Sequence, residues 1–107
     1  MNVDQPTVTL PGDVRMPLVG FGTWRVTGRA GYEAVRRALE VGYRHLDTAT
    51  MYGNEELIGR AVRDSGLPRR EVFLTTKLLP QHAGQERRGL AASLAALGVD
   101  YVDLWLI

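Results

Sequence analysis

The chain has 107 residues, 45% of them apolar and 23% charged, a formal net charge of +1 and no cysteine. These values fit one small globular domain and give no electrostatic case for a nucleic-acid or anionic-membrane partner. Without cysteine there is no disulfide framework, thiolate metal site or cysteine nucleophile. No apolar run is long enough to span a bilayer, and the amino terminus lacks the regions of a secretory leader, so the expected location is cytoplasmic.

In chain order, Thr7 to Leu10 is β-prone, Pro11-Gly12-Asp13 is a turn, and Val14 to Met16 returns, which predicts a hairpin. Leu18 to Phe21 reads as a strand leading into a loop at Gly22-Thr23-Trp24. A helix is expected over Ala30 to Val41, with Ala34, Val35, Ala38 and Leu39 on its inner face and Gly42 as its stop. Tyr43 to Asp47 is the next strand. Asn54 is placed to cap a second helix, with Glu55 and Glu56 in its first turn. That helix buries Leu57, Ile58, Ala61 and Val62 and ends at Gly66, before Pro68. Val72 to Lys77 is rich in β-branched and aromatic residues and reads as a strand. After a loop over Pro80 to Gly84, a third helix runs from Gln85 to Leu97 with Leu90, Leu94 and Leu97 inward and Gly98 as its stop. Val102 to Ile107 is the last strand.

Strict alternation of strands and helices after the hairpin argues for an α/β fold with a parallel sheet. An open dinucleotide-binding sheet would carry a glycine fingerprint after its first strand. Gly20-Phe21-Gly22-Thr23-Trp24-Arg25 begins that way, but Arg25 stands at the third glycine position. A (β/α)8 TIM barrel accounts better for the polar residues, because barrel sites lie at the carboxyl ends of strands. A complete barrel needs about 250 residues. The expectation is therefore the N-terminal part of a single barrel domain, residues 1–107, with about four of the eight strands and a preceding β-hairpin.

Asp47 and Lys77 end neighbouring strands and can form an ion pair at the barrel mouth, and Tyr52 lies on the loop between them. A free phenol has a pKa of about 10, and a nearby ammonium lowers it. A phenol so tuned is a general acid toward a substrate oxygen. Taken singly, each of the three has a plainer reading as a cap, a surface charge or a packing residue. His45 reads as interior packing, and Trp105 and Tyr101 as structural. His82 with Glu86 reads as surface loop, since two residues do not make a metal site. Arg69, Arg70, Arg87 and Arg88 read as solvated faces.

The stretch Gly42-Tyr43-Arg44-His45-Leu46-Asp47-Thr48-Ala49, with Glu55 and Ile58-Gly59 following at fixed spacing, resembles the first signature of the aldo-keto reductase family at every specified position. Met16 to Trp24, Val72 to Lys77 and Val99 to Ile107 are similar to further family segments, so the resemblance covers nearly the whole chain. It implies a reductase of aldehydes or ketones, with hydride supplied by NADPH and a small-molecule carbonyl as partner. It implies Tyr52 as proton donor, with Lys77 and Asp47 tuning it. Gly22, Thr23, Trp24 and Asp47 would contact the cofactor, and Trp24 and Tyr52 the substrate. The family's fourth catalytic residue, a histidine, would fall just after Ile107, so the chain reads as an incomplete and by itself inactive portion. Two alternatives stand beside the reductase: a noncatalytic cofactor-binding relative, and a Schiff-base lyase using Lys77 as nucleophile.

Overall fold

A computed structural model describes residues 5–107. The expectation that the amino terminus carries no leader falls partly on residues 1–4, which lie outside the described residues. Strands β1 (Thr7–Leu10) and β2 (Val14–Pro17) pair antiparallel from Thr7↔Pro17 to Leu10↔Val14. The turn between them places Gly12 and Asp13 at positive φ, 83° and 60°, where glycine and aspartate are tolerated.

The second sheet has four parallel strands in chain order: β3 (Phe21–Gly22), β4 (His45–Asp47), β5 (Phe73–Lys77) and β6 (Leu104–Leu106). Helices α1 (Gly28–Val41), α2 (Glu55–Asp64) and α3 (Glu86–Leu97) make the crossovers. Side chains alternate along each strand. Leu46 and Leu74 point toward the helices and are fully buried with Val35, Leu39, Ile58, Val62 and Leu97. The opposite face carries His45, Phe73 and Thr75. There the His45 and Phe73 rings meet edge to face at 4.7 Å, and His45 Nε2 lies 2.8 Å from Thr75 Oγ1. Truncating Leu46 or Leu74 to alanine would cost about 2–5 kcal/mol. Among the described residues, no helix is long and apolar enough to cross a membrane.

Several boundaries differ from the sequence expectation. The strand read over Leu18–Phe21 is formed only at Phe21–Gly22, because parallel pairing begins at Phe21↔Leu46. Leu18 instead turns its N–H to Pro6 O at 2.8 Å, and Leu18 and Val19 are 61% and 49% exposed. β4 begins at His45 rather than Tyr43, whose N–H still bonds to Ala38 O at the end of α1. β6 is limited to the residues that pair with β5, Leu104 to Leu106.

The helix faces shift as well. In α1 the inner face uses Gly31, while Ala34 is exposed. In α3 the buried residues are Gly89, Ser93 and Leu97, and Leu90 and Leu94 are only half-buried. Ser93 can face inward because its hydroxyl finds Thr50 Oγ1 at 3.1 Å. Arg69 is not a solvated charge. It donates to Val72 O, Tyr101 O and Asp103 Oδ2 at 2.5, 2.8 and 2.9 Å, and its guanidinium stacks on Tyr101. Asp103 Oδ2 also accepts from Leu74 N–H at 2.8 Å, so this pair ties the starts of β5 and β6 together.

Helix α2 meets the end of α3 where Gly59 faces the Leu97 backbone. A Cβ at residue 59 would overlap the Leu97 carbonyl, and backbone cannot swing aside as a side chain can. Gly59→Ala is expected to destabilise the fold by about 3 kcal/mol through overpacking. Urea unfolding measures this, and a midpoint equal to that of the parent would refute the close contact.

Candidate active site

The register of the sheet builds this site. Asp47 pairs with Thr75, so Lys77 lies two residues further along β5 on the same face. Its ammonium reaches back and donates to Asp47 Oδ1 and, at 3.0 Å, to Thr48 O. Both side chains stay partly open, 31% exposed for Lys77 and 39% for Asp47.

Tyr52 comes from the loop after β4, where Thr50–Tyr52 forms a single 3-10 turn. The turn closes through Tyr52 N–H to Ala49 O at 3.0 Å and ends on Gly53 at φ 68°, a conformation that favours glycine. Thr50 fixes it to the sheet by donating to Lys77 O at 3.1 Å. The Lys77 ammonium consequently sits 5.2 Å from the centre of the Tyr52 ring, within cation–π range. Asp47, Tyr52 and Lys77 are thus brought together at the carboxyl ends of β4 and β5. Tyr52 and Lys77 border an open cleft of about 420 Å³ whose other walls include Met51, Leu78, Leu106 and Ile107.

Gly22 ends β3, and Thr23 and Trp24 follow it, on the other side of Asp47. Gly22 pairs with Asp47, and nothing lies within 4 Å of where a Cβ on Gly22 would stand. Thr23 is fully buried, and its N–H and hydroxyl both donate to Asp47 O, at 3.1 and 2.9 Å. Its hydroxyl is therefore committed to the strand end. Trp24 is 66% exposed, with the Arg25 guanidinium 4.6 Å from its ring centre. His45 lies deeper on the same sheet face, bonded to Thr75 and 3.2 Å from Pro17 O. Among the described residues there is no group of three or more His, Asp or Glu side chains placed to hold a metal.

Three polar contacts around the site escape a sequence reading. Asn54 stands at the expected cap position of α2 but makes no side-chain cap bond; its amide turns inward to Thr48, Thr23 and Val26. Glu55 is buried rather than merely favourable in the first turn, and it accepts from Thr76 Oγ1 at 2.7 Å. Thr50 and Ser93 pair across the gap between the loop after β4 and α3. The short polar side chains next to the Asp47 strand end were the available signal, but spacing alone does not show which carbonyl each would meet.

Parallel strands covered by helices, with an acid, a lysine and a tyrosine gathered at the strand ends, are the arrangement expected of part of a (β/α) barrel. The chain matches the Aldo/keto reductase family over residues 18–107 and belongs to that family. Solved structures agree. An aldo/keto reductase from Brucella melitensis superposes with a TM-score of 0.90 at 44% identity, over 97% of this chain and 41% of that one. A Bombyx mori aldo-keto reductase in complex with NADP gives 0.89 at 38% identity, over 98% and 38%. These neighbours are (β/α)8 barrels, and the present fold is the amino-terminal part of that architecture. Among curated relatives, the aldehyde reductase YPR1 of Saccharomyces cerevisiae is 48% identical over 101 residues, 94% of this chain and 32% of that protein. A 9,11-endoperoxide prostaglandin H2 reductase of Trypanosoma cruzi is 48% identical over 111 residues, 100% of this chain and 39% of that protein. The chain thus spans 32–39% of the length of these two relatives.

Thr50→Val removes the hydroxyl that pins the Tyr52 turn to β5 and α3. Amide exchange at Tyr52 and Gly53 is expected to rise about tenfold, the equivalent of one lost hydrogen bond. Unchanged exchange at those two amides would show that the turn does not depend on Thr50.

Proposed function

We propose that this chain forms the amino-terminal portion of a single (β/α)8 reductase domain that converts aldehydes or ketones to alcohols, with NADPH as reductant. The observation that carries the proposal is the placement of one ammonium, Lys77, bonded to Asp47 and set against the ring of Tyr52. Family membership supports it, as do the NADP-bound structural neighbour and the reductase names of the relatives.

The residues present suit a nicotinamide. Gly22 leaves open space beside the strand end, Trp24 presents an exposed indole, and the Asp47 carboxylate is reachable. Gly22 and Trp24 would flank the ring and its ribose, Thr23 would hold their loop, and Asp47 would meet the ribose. Such a cofactor supplies the hydride. Tyr52 gives its hydroxyl proton to the substrate oxygen as negative charge develops there. Lys77 stabilises the phenolate left behind by placing positive charge beside it, and Asp47 holds that charge in position. Trp24 and Tyr52 border the substrate carbonyl. The Schiff-base alternative requires Lys77 to leave Asp47 and Thr48 O and give up a proton before it can attack a carbonyl.

In the full-length protein, Tyr52→Phe is expected to lower kcat by about 10³-fold, the scale of general-acid catalysis, while NADPH affinity is kept. Cofactor oxidation with an aldehyde, paired with a binding titration, checks both halves. Wild-type turnover in that variant would remove Tyr52 from the mechanism, and borohydride trapping of substrate on Lys77 would replace the reductase by the lyase. Among the described residues the outer edges of β3 and β6 are unpaired, and the 107-residue chain produced alone is expected to show no NADPH oxidation. Turnover by that chain would overturn the assignment as a portion of a larger domain.

A further inference from the structure

Asn54 precedes α2 where a capping side chain is expected, yet it is 3% exposed and its side chain makes no cap bond. Its Nδ2 donates to Thr23 O at 2.7 Å and Val26 O at 3.0 Å, and its Oδ1 accepts from Thr48 Oγ1 at 2.7 Å. Two of these partners are main-chain carbonyls, which only accept, and this fixes which end of the amide points where. The amide therefore spans two loops. One follows β3 and carries Thr23 and Trp24. The other follows β4 and carries Thr48, whose carbonyl accepts from Lys77 Nζ at 3.0 Å.

We propose that Asn54 is a positioning residue that locks the loop after β3 to the loop after β4, and so sets the cofactor side of the site relative to Asp47, Lys77 and Tyr52. The proposal rests on the reductase reading for its functional consequence, and on the hydrogen bonds alone for its structural one. A continuous path of bonds runs from Val26 and Thr23 through Asn54 to Thr48 and on to Lys77. Thr23 closes the circuit by donating twice to Asp47 O. Buried carbonyls that lose their donors are costly and seek new partners. Loss of the Asn54 amide therefore cuts the tie of Thr23 O and Val26 O to the loop after β4, and leaves the loop after β3 held by the bonds of Thr23 to Asp47 O and of Val26 N–H to Thr23 O. A residue that merely packed or capped would instead weaken α2 and the whole core together.

Asn54→Asp separates the two roles. It keeps the shape and the acceptor for Thr48, but places an oxygen where the amide donated to two carbonyls. In the full-length protein, amides in Thr23–Val26 and in 48–53 are expected to exchange about tenfold faster or more than in wild type, with amides of β4 and β5 unchanged. NADPH dissociation is expected to rise by a similar factor. Thr48→Val, which cuts only one arm, is expected to give smaller increases in the same two loops, and it carries the test should Asn54→Asp fail to fold. Acceleration spread evenly over the core, or confined to one loop, would overturn the proposal. A wild-type protein that neither binds nor oxidises NADPH would sink the reductase reading, and the exchange pattern would still decide the role of Asn54.

Discussion

The parallel pairing of β4 with β5 puts Asp47 opposite Thr75, so the next residue of β5 on that face, Lys77, stands one step beyond the acid. A lysine side chain is long enough to lean back over that step. The ion pair, the contact of the ammonium with Thr48 O and the approach to Tyr52 all follow from this offset. A slip of one residue in the pairing would send Lys77 to the helix face, among Leu46 and Leu74. Register there is held by the apolar core beneath, while Asp103, which grips Leu74 N–H and Arg69, ties the starts of β5 and β6.

The helical layer contributes in a less visible way. α2 meets α3 at Gly59, and α3 meets the strand ends through Gly89, beside Leu78, and through Ser93, beside Thr50. Small residues at these points let the helices sit close to the loops that leave the sheet. The turn bearing Tyr52 is consequently braced from behind by α3 and from the side by β5. A loop with so few residues of its own could not hold a phenol in place without such neighbours.

Much of this was legible in the sequence, for physical reasons. Amphipathic helices and β-branched strands announce themselves by period, so α1, α2 and β5 lie within about two residues of their expected limits, and α3 does so through its Gly98 stop. Strand ends inherit that certainty, and Asp47 and Lys77 with them. Short strands fared worse, because β3 and β6 extend only as far as a partner is present, and apolar character at Leu18 and Val19 says nothing about partners. Inward polar residues were also hidden. Ser93, Thr23, Asn54 and Glu55 are buried because each finds a specific bond, and a hydropathy pattern assigns such residues to the outside. Asn54 shows this most clearly, since a residue suited to cap a helix is also suited to bridge two loops, and only tertiary geometry decides between them.

The backbone around the strand ends is heavily bonded: the carbonyls of Thr23, Val26, Asp47, Thr48 and Lys77 all accept from side chains. The exposed residues of the same loops are the opposite. Trp24 and Met51 are largely exposed, and little in the fold leans on them. Substitution there should cost little stability, since exposed positions without such bonds usually tolerate change. A scaffold divided in this way can acquire new preferences by drift at its margin while the groups below keep their arrangement.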